Sequence, residues 1–348
     1  MTLKEAIKYR KIWMGFAILW IVFFHFGYKL PDPFSVIQSS GYSGVDIFFF
    51  ASGIGCYLSY SRDKNAAAFL KRRFIKIMPA YLVFIVIWCL YKVITAGMDF
   101  PTVLGNIFCI QDLTGKPGGF NWYFGAMWIF YILTPYFAAV VDKIKKPVGC
   151  VLFCLLLVLF SFPFWNVTAL IIIVTRLPVY FLGMFFAKCS QESDKKITAK
   201  FMLFATLLSL LSMAAFFICF FNLHDELWNY GLWWYPFIIT APTICIFLSF
   251  IGRFLKKKPF GQKINAAFSF VGGYTFELFL VHKFIFNETA DLIMANKPDH
   301  VVAIWFASLI PVVIGTVILY WLTKGIKALI FKSSKIKTAG STGGLLHP

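Results

Sequence analysis

Six clusters of lysine and arginine punctuate this chain, and the stretches between them are long, apolar and nearly free of charge. The clusters lie at Lys4–Lys11, Arg62–Lys76, Lys143–Lys146, Lys188–Lys200, Arg253–Lys263 and Lys324–Lys337. A soluble domain of this length is about a quarter charged, whereas only 14% of these 348 residues are charged and 60% are hydrophobic. Such a surface cannot be kept wet, so the apolar stretches must face lipid. A helix needs roughly 17–25 apolar residues to cross the hydrocarbon core. Ten stretches qualify, at 12–28, 42–60, 77–97, 122–141, 148–164, 168–187, 201–222, 230–251, 267–287 and 301–323. The expected fold class is therefore all-α, a polytopic transmembrane helix bundle of about ten helices. Only "PFWN" separates the fifth stretch from the sixth, so a re-entrant hairpin there is the alternative.

The basic clusters occupy the N-terminus, every second loop and the C-terminus of that ten-span arrangement. The intervening loops carry acids at Asp32, Asp99, Asp112, Asp225, Glu226, Asp291 and Asp299. This is the positive-inside pattern, and it puts both termini in the cytoplasm. The net charge of +18 thus reads as a topological signal and not as a nucleic-acid surface. The first apolar stretch carries His25 and has no small-x-small cleavage site before Pro31, so it reads as a retained span, not a signal peptide. The eight cysteines lie mainly in the spans, without CxxC or zinc spacing, and read as packing residues with no metal site. One transmembrane domain, 1–330, is expected, followed by a Gly/Ser-rich flexible tail at 331–348.

Ionisable groups inside a membrane cost roughly 2.5–3.5 kcal/mol each on insertion scales, so they point to function. This chain places His25, Asp46, Lys92, Arg176, Glu277, His282 and Lys283 within apolar stretches. An antiparallel hairpin of the first two spans would bring His25, near the end of one, level with Asp46, near the start of the next. His282 falls in the outer third of the ninth span, so two imidazoles and a carboxylate could line one outer pocket. An imidazole can take a proton from a hydroxyl at neutral pH, and a carboxylate on its other nitrogen fixes the tautomer. The bland reading is that such histidines hydrogen-bond a neighbouring helix. Lys92 and Lys283 sit near outer ends and are expected to snorkel. Arg176 lies deeper and needs a carboxylate or phosphate partner.

On the cytoplasmic side, "FLKRRFIKIMPAY" (69–81) sets three consecutive cations and a fourth just ahead of a proline. Such clusters usually anchor topology or meet anionic head groups. Arg73 and Lys76 nevertheless share a helix face and could hold the phosphates of a large co-substrate.

Taken together, several stretches resemble the membrane acyltransferase-3 family. "ILWIVFFH" (18–25) is similar to its first helix with the signature histidine, and "GVDIFFFASG" (44–53) to its Gly-Val-acid, Phe-Phe and Ser-Gly helix. "KRRFIKIMPAY" (71–81), "NWYFGAMWIFYILTPY" (121–136), "RLPVYFLGMFFAK" (176–188) and "GYTFELFLVHKFI" (273–285) resemble later signatures in the same order. The resemblance implies a bacterial multi-pass membrane O-acyltransferase with no permanently bound cofactor. It would take acyl-CoA, with acetyl-CoA the family prior, from the cytoplasm and acylate a hydroxyl of an extracytoplasmic glycan or glycolipid.

His25 would match the catalytic histidine and Asp46 its supporting acid. Arg72, Arg73 and Lys76 would face the acyl donor, and His282, Glu277, Arg176, Trp122 and Asn121 would line the acceptor pocket. One departure is Met14, where the family has an arginine; Arg10 or Lys11, about one turn below, would then substitute for the donor. Another is Lys76, which replaces an arginine and loses its two-pronged grip on phosphate. The competing readings are a transporter or flippase for a lipid-linked glycan or peptide precursor, and a relative without catalysis.

Overall fold

The computed structural model describes residues 1–32, 34–120, 122–164, 167–192, 194, 196–222 and 233–342, with side chains up to 329 except those of 168 and 219–221. Among them the chain is helical. The helices are α1 (Leu3–Ile7), α2 (Arg10–His25), α3 (Phe34–Ser39), α4 (Gly44–Tyr60), α5 (Ala66–Ala96), α6 (Phe100–Ile107), α7 (Trp122–Lys143) and α8 (Pro147–Ser161). They continue with α9 (Thr168–Val174), α10 (Leu177–Glu192), α11 (Ala199–Asn222), α12 (Phe237–Leu255), α13 (Pro259–Val271), α14 (Thr275–Asn296), α15 (Val301–Ala307) and α16 (Leu309–Thr342).

Seven of these, counting continuous helical runs, are long and apolar enough to cross a membrane, and eight if the bent pair α13 and α14 forms one span. Among the described residues, length and composition thus give seven or eight spans against the expected ten. The first two expected spans correspond to α2 and α4, whose 16 and 17 residues lie at the lower limit for a crossing. The ninth expected span straddles the break between α13 and α14 at Gly272–Tyr274. The fifth and sixth, Pro147–Phe164 and Ala169–Glu192, are each long enough to cross separately. α16 continues to Thr342, into the stretch expected as a tail.

The helices fall into two compact units. The first comprises Met1–Leu70 and Phe100–Thr275, the second Lys71–Asp99 and Phe276–Pro348.

In the first unit, α4 lies directly against α10. A Cβ on Gly53 would overlap the Tyr180 carbonyl, and a Cβ on Gly183 would overlap the Phe50 carbonyl. Lipid tails are as apolar as leucine, so close backbone packing of this kind is what holds such helices together. Around the contact, Phe48, Phe49, Phe50 and Phe181 are fully buried. The three consecutive phenylalanines are hence core on every side, as a helix enclosed by protein requires. Trp13 Nε1 donates to Ser249 Oγ at 2.9 Å, and that hydroxyl reaches Ala6 O at 3.2 Å, tying α2, α12 and α1. Thr2 and Glu5 form a capping box at α1, and the Thr2 N–H holds the Glu5 carboxyl below the ordinary carboxylate range.

The C-terminus of α7 is closed by a side chain from α10. Lys188 Nζ donates to the carbonyls of Val141 at 3.0 Å, Asp142 at 3.0 Å and Ile144 at 2.7 Å. The last carbonyls of a helix lack intrahelical partners and carry its negative dipole end, so a cation there satisfies both needs.

In the second unit, Lys92, expected to snorkel, is paired with a carboxylate. Its Nζ meets Glu288 Oε1 at 2.8 Å, and Tyr91 donates to Glu288 Oε2 at 2.5 Å.

Candidate active site

His25 is the last residue of α2 and is half-buried. Its ring Nδ1 lies 3.0 Å from the carbonyl oxygen of Ile21, one turn back on the same helix. A carbonyl oxygen can only accept, so in the neutral ring Nδ1 carries the proton. The lone pair then belongs to Nε2, which is the tautomer a general base needs.

Asp46, expected to provide that support, faces another group. Its Oδ1 lies 3.6 Å from Nε of Arg176, and each side chain is 2% exposed. The carboxylate stands in the first turn of α4, where the positive end of the helix dipole favours it. Arg176 sits between Val174 and Leu177, in the break between α9 and α10, where Nη1 donates to Ile172 O at 2.7 Å and to Thr175 Oγ1 at 3.5 Å. Its guanidinium carbon lies over the Trp122 ring at 5.0 Å and the Trp234 ring at 4.8 Å. A delocalised, weakly hydrated cation is well held by two indole faces. Asp46 Oδ2 has no hydrogen-bond partner among the described residues.

Tyr42 extends this aromatic wall. Its ring meets Trp233 at 5.8 Å and Phe237 at 5.5 Å, and its hydroxyl donates to Trp233 O at 2.7 Å. The structure thus brings Asp46, Arg176 and Trp122 together and adds Trp234. Trp234 is not among the residues expected from the sequence, although the run "WWYP" at 233–236 is a visible signal. Asn121 lies outside the described residues.

The two candidates for the missing arginine at Met14 are placed differently. A Cβ on Gly55 of α4 would stand 2.8 Å from Arg10 Nη1, so the Arg10 guanidinium occupies the space that Gly55 leaves. Lys11 is exposed. The guanidinium is thereby delivered into the first unit, against α4.

The other expected site residues lie in the second unit. Arg72 and Lys76 are exposed and Arg73 is half-buried, all three on α5 ahead of Pro79. Lys327, from the last basic cluster, donates to the Lys76 carbonyl at 2.9 Å and lies within electrostatic reach of Glu277, which is buried. His282 is fully buried between the rings of Phe279 and Phe286, and its Nδ1 lies 2.8 Å from Leu278 O. Its tautomer follows from the same argument as that of His25.

The family model described as an acyltransferase domain, Acyl_transf_3, matches residues 14–321. Neither the curated proteins nor the solved structures contain a match to the chain.

Proposed function

The chain belongs to the acyltransferase-3 family, and from that premise we propose that it moves a short acyl group from a cytoplasmic acyl-CoA to a hydroxyl of an extracytoplasmic carbohydrate or glycolipid. It is a membrane acyltransferase; the donor, the acceptor, the bacterial cytoplasmic membrane and the acetyl group are the finer parts of the proposal. The observation that carries it is the Nδ1 contact of His25 with Ile21 O, which leaves Nε2 with the lone pair.

In the proposed reaction, His25 Nε2 takes the proton of the acceptor hydroxyl while its oxygen bonds to the thioester carbonyl carbon. The resulting tetrahedral species collapses by breaking the carbon–sulfur bond. The CoA thiolate leaves and recovers the proton from His25, giving an ester and free CoA. General-base help of this kind contributes about 10²–10⁴-fold. Because the Ile21 carbonyl already sets the His25 tautomer, Asp46 is not needed for that task. Asp46 and Arg176 are assigned instead to the charged, aromatic-lined acceptor pocket with Trp122 and Trp234. Arg72, Arg73 and Lys76 are assigned to the donor phosphates, and Arg10 to the donor role that the family gives its arginine at position 14.

Purified protein in liposomes, given labelled acetyl-CoA and the host's surface polysaccharide, tests this reading. Label should enter the polysaccharide and be lost in His25→Ala. Incorporation that survives the substitution would remove His25 from the chemistry.

A further inference from the structure

The backbone on either side of His25 is gathered onto one side chain. Gln38, on α3, is 4% exposed. The two hydrogens on its Nε2 are shared among Phe26 O at 2.9 Å, Tyr28 O at 3.0 Å and Phe23 O at 3.1 Å, while its Oε1 accepts from Leu30 N at 3.1 Å. Three of the four bonded residues follow His25 and one precedes it. One amide therefore holds the end of α2 and the segment that leaves it, as far as Leu30.

Physical need and placement agree. The last carbonyls of an α-helix have no intrahelical donor, and away from bulk water each must find one. Phe23 O receives only a long bond from the Phe26 N–H, at 3.3 Å, before Gln38 adds its own. Phe26 turns the chain out of the helix, with ψ at 117°. Without an outside donor the last turn would fray, as helix ends do. The ring of His25 is anchored to the same turn through Ile21 O, so fraying would move both its Cα and its Nδ1 partner.

Gln38 is itself firmly placed. Trp20 Nε1 donates to Ile37 O at 2.9 Å. Three residues beyond Gln38, a Cβ on Gly41 would overlap Trp20 O. The segment carrying Gln38 is pressed onto the outer half of α2 at both points.

We infer that Gln38 is the positioning residue for His25: its amide holds the α2 terminus so that Nε2 is presented to the acceptor hydroxyl. The inference rests on His25 being the base. The amide offers both donors and an acceptor at once, which explains why glutamine stands at a buried site in an apolar chain. Lysine could replace the donors, since Lys188 of this same protein bonds three carbonyls. Glutamate would set a carboxylate against three carbonyl oxygens and keep only the bond from Leu30 N.

The test compares Gln38→Ala, Gln38→Lys and Gln38→Glu in the full-length protein, by steady-state kinetics and by the rate of carbethoxylation of His25 with diethyl pyrocarbonate, read by mass spectrometry. The expected result is a fall in kcat of about ten-fold or more for Ala and Glu, with KM for the donor within about two-fold of wild type. Lys should restore kcat to within about three-fold, and the carbethoxylation rate should follow the same order. An unchanged kcat in Ala, a loss confined to KM, or a Lys variant as impaired as Ala would overturn the inference. Should Ala fail to fold, Lys active with Glu inactive still supports it, and equal behaviour of those two overturns it. If His25→Ala keeps its transferase activity while carbethoxylation of His25 in the Gln38 series keeps its order, the positioning role stands and the base assignment falls.

Discussion

Asp46 and Arg176 face each other at 3.6 Å, in a setting that leaves each side chain 2% exposed, and the guanidinium is enclosed by Trp122 and Trp234. Removing one member of a buried pair strands the other, at a cost of about 3–5 kcal/mol, whereas removing both can be nearly neutral. Asp46→Asn and Arg176→Gln should each lower thermal stability in detergent steeply, and the double variant should lose less than their sum. Strictly additive losses would show that the two do not interact.

The tryptophan faces are predicted to matter separately from the charge pair. Trp234→Ala removes one face of the guanidinium sandwich, worth about 2 kcal/mol for a desolvated cation. Trp234→Phe should retain part of that stability, because a smaller ring still presents a face. Equal destabilisation by Ala and Phe, read by thermal unfolding, would assign the role of Trp234 to volume alone.

Arg10 and Lys11 should behave differently. Arg10 lies in the gap above Gly55, and Lys11 is exposed. Arg10→Gln is expected to raise KM for the acyl donor by about ten-fold or more, with Lys11→Gln close to wild type. Gly55→Val should mimic Arg10→Gln by filling the space the guanidinium uses. A strong effect of Lys11→Gln with none from Arg10→Gln would reverse the assignment.

The two lysines at the C-terminal end of α7 offer a contrast in burial. Lys188 is buried and bonds three carbonyls, so Lys188→Met should destabilise by about 1.5–3 kcal/mol. Lys64 meets Asp142 at 2.8 Å, but its side chain is 65% exposed, and Lys64→Ala should leave the melting temperature within error. The hydrogen bond to Asp142 raises the Lys64 pKa. Any contribution of that pair is complete below the ordinary lysine pKa and is lost as pH rises through the raised one. A larger loss for Lys64→Ala than for Lys188→Met would contradict the argument from burial.

Substituting Gly53 or Gly183 tests the α4–α10 contact. Alanine at either position would drive a methyl into the facing carbonyl and cost about 1–3 kcal/mol of strain. Thermal unfolding of Gly53→Ala and Gly183→Ala in detergent checks this, and wild-type stability in both would mean the helices can part without penalty.

Helical class, membrane character and family were legible in residue types, because apolar length and the order of short signatures are properties of the chain itself. His25, Asp46 and Arg176 could also be picked out, since an ionisable group in an apolar run stands out wherever it folds. Which of them meet could not be read. A hairpin of the first two spans sets Asp46 at the depth of His25, but depth leaves the direction of a side chain around the helix undecided. The break between α9 and α10 turns Arg176 toward Asp46, and no local signal in "VTRLPVY" announces that.

The contacts of Gln38 and Lys327 were invisible for a related reason. Each acts on main-chain carbonyls, and a carbonyl leaves no trace in an amino-acid sequence. The sequence alone determined that this chain is a helical membrane acyltransferase of a recognisable family, because hydrophobicity and signature residues act through composition and order. Only the tertiary structure decided that Asp46 pairs with Arg176, that Arg10 fills the gap at Gly55 and that Gln38 gathers the backbone around His25. Those choices depend on which helix faces meet, and close backbone packing sets that at distances the linear order does not encode.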